Sequence, residues 1–84
     1  MFLHAGNNFS ILKRDVIAII DADNSTVSKV TRAFLKKTQD DKKLTVISND
    51  IPKSFILAGT RKKGVRLYQT NVSPATLAGR VERY

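Results

Sequence analysis

The residues able to do acid–base or metal chemistry in this 84-residue chain are few and badly spaced for it. The single histidine, His4, has no serine or carboxylate at the spacing of a nucleophile–base pair, so it reads as a structural or surface residue. Asp21 and Asp23 follow an apolar run, and paired carboxylates at a strand end can hold Mg²⁺. The plainer reading is that they stop the strand and favour the N-terminus of the helix that follows. Asp40-Asp41 lies beside Lys42-Lys43, where local charge neutralisation accounts for it. Gly59-Thr60-Arg61-Lys62-Lys63-Gly64 has the outline of a phosphate loop, but Val65 stands where the P-loop lysine belongs and a strand pattern follows instead of a helix. The chain has no cysteine, which excludes a disulfide scaffold, a thiolate zinc site and a cysteine nucleophile. The expectation is a non-enzyme with no catalytic residues, no metal and no cofactor.

The basic residues carry more information. Fifteen lysines and arginines stand against seven acidic residues, a net charge of +8 on a small domain. Such a field points to a polyanion: DNA first, RNA next, an anionic membrane surface third. The cations fall into three clusters: Lys13-Arg14, the set Lys29, Arg32 and Lys36, and Arg61-Lys62-Lys63 with Arg66 beyond. Lys29, Arg32 and Lys36 are spaced to line one side of a helix, where an ordinary solvated face explains them. Arg61-Lys62-Lys63 is different, because three like charges in one tight turn repel each other and a counter-charge is what makes them favourable. Tyr68 beside Arg66 offers a surface on which an unpaired base can stack.

These groups need elements to hold them. Phe2–Ala5 and Phe9–Leu12 read as strands around a Gly6-Asn7-Asn8 turn. Lys13-Arg14-Asp15 breaks the pattern. Val16–Ile20 is β-branched and continuously apolar, the pattern of a strand covered on both faces. Ser25 or Thr26 caps a helix predicted over 26–38, with Val27, Val30, Thr31 and Phe34 on its apolar side. Leu44–Ser48 and Lys53–Ala58 read as strands on either side of a turn at Asn49–Pro52. Val65–Thr70 alternates, with Arg66 and Tyr68 on one face. Ser73-Pro74 starts a short helix over 74–81, serine as N-cap and proline at the first helical position.

The sum is one α+β domain over 1–84: a small, strongly curved, antiparallel-type sheet of about six short strands, a central amphipathic helix and a C-terminal helix. The apolar strands offer more two-sided burial than one sheet and one helix can cover. The surplus predicts a subunit interface at Val16, Ile17, Ile19, Phe55 and Leu57. The alternative is a small barrel-like sheet that buries both strands internally. The longest apolar run is far below the roughly 20 residues a membrane helix needs. The opening Met1–Gly6 has no basic n-region, so no secretory leader is expected, and a cytoplasmic protein is.

The order of motifs resembles a known family. Phe2-Leu3-His4-Ala5-Gly6-Asn7-Asn8-Phe9, Arg14-Asp15-Val16-Ile17-Ala18-Ile19-Ile20, Phe34-Leu35-Lys36-Lys37, Pro52-Lys53-Ser54-Phe55-Ile56-Leu57 and Ser73-Pro74-Ala75-Thr76-Leu77 look like the RemB (YaaB-type) extracellular matrix regulatory proteins, relatives of RemA. The resemblance covers nearly the whole chain. It implies a LytTR-like fold and a ring-forming, DNA-binding transcriptional regulator of bacterial biofilm-matrix genes. It places Arg14 at a DNA-contacting position and Lys53 at a basic position opening a later strand. The chain departs from the RemA pattern at Asn49-Asp50-Ile51, which stands in place of a Gly-Arg-Arg stretch.

The leading expectation is therefore a homo-oligomeric regulator that binds double-stranded DNA through Arg14, Lys53, Arg61, Lys62, Lys63 and Arg66. Asp50 favours a second: a subunit that does not bind DNA and pairs through its apolar strands with a related regulator. An RNA-binding module is the third, supported by Tyr68 and general basicity.

Overall fold

Asn7 and Asn8 both take positive φ, 46° and 63°. Asparagine tolerates that region, and a tight hairpin turn with right-twisted strands requires it. The turn joins β1 (Phe2–Gly6) to β2 (Phe9–Leu12) as an antiparallel pair. In the computed structural model, which describes residues 1–25 and 29–82, a single 3-10 turn at Lys13–Asp15 leads on to β3 (Val16–Asp21). Then come α1 (Ala22–Ser25), α2 (Lys29–Asp40), β4 (Leu44–Val46), β5 (Ser54–Thr60), β6 (Gly64–Thr70) and α3 (Pro74–Glu82).

The class is α+β, as expected, but the strands form two sheets that do not close. β1 and β2 pair only with each other, and a four-stranded sheet runs β3-β5-β6-β4. The barrel-like alternative is thereby excluded. The antiparallel-type sheet is also corrected: β4 lies parallel to β6. The reason is topological. The chain leaves β3 at one edge, crosses through the helices and returns as β4 at the other edge, a connection of the length that parallel strands require.

The hairpin and α3 cover one face of the large sheet. Leu3, Ala5 and Ile11 from the hairpin, Ile56 and Ala58 from β5, and Leu77 from α3 form the buried cluster. Along β5 burial alternates, with Ser54, Ile56 and Ala58 turned into this cluster and Phe55 and Leu57 half-buried on the other face. α3 is built as the sequence indicates: the Thr76 N–H donates to Ser73 Oγ at 3.2 Å, and Pro74 takes the first helical position.

Three expectations change. The run Val16–Ile20 is not covered on both faces. β3 is an edge strand, and its register with β5 shifts between Val16 and Ala18, which turns Ile17 outward at 58% exposure. Val16 and Ile19 pack against the core instead, so the five residues expected at a subunit interface do not share one surface. The strand ends in a short helix rather than a loop, and Asp21 Oδ1 accepts the Asp23 N–H at 2.9 Å at its start. The expected cap Thr26 and apolar Val27 lie outside the described residues, and Ser25 is the last residue of α1. On α2 itself, Val30 is 80% exposed and Phe34 is exposed as well. The apolar stripe read from the sequence is therefore left largely uncovered. Thr38 is the buried residue of this helix, its hydroxyl donating to the Phe34 carbonyl at 2.8 Å.

Candidate nucleic-acid interface

The β5–β6 hairpin holds the densest basic group. Thr60 pairs with Gly64, leaving Arg61, Lys62 and Lys63 as an exposed turn. Thr60 Oγ1 accepts the Lys63 N–H at 2.9 Å and fixes the turn from inside. Gly64 sits at φ +73°, a conformation that L side chains rarely adopt. Gly59 is needed for a different reason: a Cβ there would stand 3.0 Å from the Gly64 carbonyl oxygen. The glycines flanking the cations are thus required by the hairpin, and the cations project from it because nothing else occupies the turn.

Arg14 reaches the same end of the sheet by another route. Its 3-10 turn packs beside β5, and Val16, two residues on, pairs with Ala58. Ala58 in turn pairs with Arg66. Arg14 Nε lies 3.6 Å from Asp15 Oδ1 while its side chain stays 81% exposed. Asp15, Lys63 and Arg66 line one cleft of about 290 Å³ whose walls include Phe2, Phe9 and Tyr68. Five of the six expected DNA-contacting cations therefore gather at one end of the molecule.

Two further lysines join that end without a signal in the sequence. Lys37 and Lys43 share a groove with Phe34, Asp41 and Val65 beside the start of β6. The Lys43 carbonyl accepts the Leu67 N–H at 2.9 Å, which places the entry of β4 alongside β6. Read as a solvated connection, Lys42-Lys43 gave no hint of this, because only the parallel pairing of β4 brings the segment there.

Lys53 does not join them. It opens β5 at the opposite end, where its N–H donates to the Thr70 carbonyl and its own carbonyl accepts the Ala22 N–H, each at 3.0 Å. Seven residues of strand separate it from the basic turn, roughly 20 Å at the usual rise. Asp50, the acidic departure from the RemA pattern, belongs to the Lys53 end. Its Oδ2 accepts the Asn71 side-chain amide at 3.0 Å, and its N–H donates to Ser48 Oγ at 3.2 Å. Lys29, Arg32 and Lys36 are exposed along α2. His4 lies in β1, where its carbonyl accepts Arg80 Nη1 at 2.8 Å. Among the described residues no group of histidines and carboxylates is arranged to hold a metal ion.

The arrangement offers a two-stranded ribbon tipped with cations, flanked by Arg14 and by Lys43. The major groove of B-DNA admits such a ribbon. No protein-family model matches the chain, and no curated protein matches it.

Proposed function

We propose that this protein is a cytoplasmic, homo-oligomeric DNA-binding transcriptional regulator of the RemA/RemB type, with a strongly curved LytTR-like sheet, acting on biofilm-matrix genes. The observation that carries the reading is the gathering of Arg14, Arg61, Lys62, Lys63 and Arg66 at one end of the sheet. The β5–β6 tip enters the groove or grips its phosphates, and Arg14 holds the adjoining backbone. Each subunit neutralises few phosphates, and a ring adds them, because linked sites make later contacts intramolecular. A ring can also bend a long site and read its shape. No described helix is long and apolar enough to cross a membrane.

The test is a salt titration of duplex binding. The logarithm of affinity falls with the logarithm of salt concentration at about −0.9 per neutralised phosphate. Replacing Arg61, Lys62 and Lys63 together by alanine reduces the slope by about 2.7 per subunit engaged. Arg14→Ala weakens binding while leaving the oligomer intact. A chain that binds no duplex at low salt is not this kind of regulator.

A second reading is supported by α2. Val30 and Phe34 are exposed on a helix whose apolar stripe has no cover within the described residues. A subunit that pairs with a related regulator and leaves DNA to it would use such a face. Recovery of a defined complex with a related regulator, together with absent DNA binding by the isolated chain, selects this reading over the first.

A further inference from the structure

The cleft between β2, the 3-10 turn and the tip of β5–β6 combines two surfaces seldom placed together without a ligand. One is aromatic. Phe9 and Tyr68 stand with ring centroids 5.4 Å apart at 49°, and Phe2 is 64% exposed at the cleft. The other is cationic. Among the described residues neither Lys63 nor Arg66 has a carboxylate partner, whereas Asp15, the carboxylate of the same cleft, is already faced by Arg14. The volume of about 290 Å³ is near the lower bound of small-molecule sites, roughly 300 Å³.

We infer that this cleft binds a planar aromatic base carrying a phosphate, the chemistry of a nucleoside monophosphate. The base lies against Phe2 and Tyr68, since every base has a π-face and stacking tolerates any of them. The phosphate meets Lys63 and Arg66, the guanidinium offering two parallel N–H donors. The walls are more apolar than a phosphate alone requires, and the cations are more than a hydrocarbon needs. A ligand with both characters satisfies both. The site lies within one chain, so it depends on neither ring formation nor binding to a duplex.

The same chemistry comes free or as one residue of a single strand, and the experiment separates the two. The intact protein is titrated with adenosine monophosphate, adenosine, inorganic phosphate and a short single-stranded oligonucleotide, followed by amide and aromatic chemical shifts and by calorimetry. The expected result is saturable binding of the monophosphate, at least about tenfold tighter than adenosine or inorganic phosphate, with shifts centred on Phe9 and Tyr68. Phe2→Ala and Arg66→Gln each weaken it about tenfold, and neither side chain is buried, so both variants keep the fold. Tighter binding of the oligonucleotide with the same shifts and the same sensitivity to Phe2→Ala identifies the strand as the source of the base. Equal binding of inorganic phosphate and monophosphate, or insensitivity to both substitutions, overturns the proposal. Duplex affinity is measured in parallel and can fail or succeed independently.

Discussion

Thr70 shows how one hydroxyl ties the two sheets together. It is fully buried in β6, donates to the Ala5 carbonyl at 2.6 Å and accepts the Val72 N–H at 3.2 Å. Ala5 is where β1 slips register against β2, between His4 and Gly6, so its carbonyl meets β6 rather than following the regular ladder. Thr70→Val keeps the volume and leaves a carbonyl and an N–H without that partner. The expected cost is about 1–3 kcal/mol, and each kcal/mol lowers the melting temperature of a domain this size by roughly 4–8 °C. An unchanged thermal midpoint would show that the hydroxyl does not join the sheets. Arg14 is the opposite case. Its pairing with Asp15 is loose and its side chain exposed, so the contact contributes at most about 1 kcal/mol to folding. Arg14→Ala is therefore expected to leave the melting temperature nearly unchanged, and its effect is to be sought in DNA affinity alone.

At the scale of elements, what the sequence made legible was whatever local chemistry decides. Asn7-Asn8 and Ser73-Pro74 marked a turn and a helix start because asparagine tolerates positive φ and serine caps an N-terminus. The alternation of Val65–Thr70 correctly put Tyr68 on the face that meets the hairpin, where it packs against Phe9. The parallel edge at β4 and the bulge at Ile17 were hidden, because both depend on which strand lies alongside, and a five-residue apolar run reads the same at an edge as in the centre. In the candidate interface the tip residues were legible as a like-charge turn, while Lys37 and Lys43 were not, since their place depends on that same parallel pairing. The amphipathic reading of α2 was correct as a pattern and uninformative about cover. If subunits associate through this helix, Val30→Lys shifts sedimentation from assembly to monomer. The unfolding free energy of the monomer stays within about 0.5 kcal/mol, because Val30 is 80% exposed. Intact assembly in this variant would move the interface to the sheet face that presents Phe55 and Leu57.

At the scale of the whole molecule the question is how a duplex lies across a chain whose cations are unevenly placed. Duplex DNA carries one negative charge per roughly 1.7 Å of axis, so the roughly 20 Å between Lys53 and the basic turn spans about twelve charges. A duplex running along β5 would reach both ends of the strand, whereas one lying across the β5–β6 tip would meet Arg14, Arg61, Lys62, Lys63 and Arg66 and miss Lys53. Asp50 decides between them, because it sits at the Lys53 end with its carboxylate held by Asn71 and would face the phosphates of a duplex laid along the strand. The crosswise arrangement avoids that repulsion and uses the denser set of cations. Lys53→Ala is accordingly expected to leave the salt slope of duplex binding unchanged, and Asp50→Asn to leave affinity unchanged within about twofold, since surface charges beyond a Debye length of roughly 8 Å at physiological salt are largely screened. A slope reduced by about 0.9 in Lys53→Ala would place a phosphate at that lysine and turn the duplex along the strand. The same titration on a monomeric variant tells whether such a contact comes from the same subunit or from its neighbour in a ring.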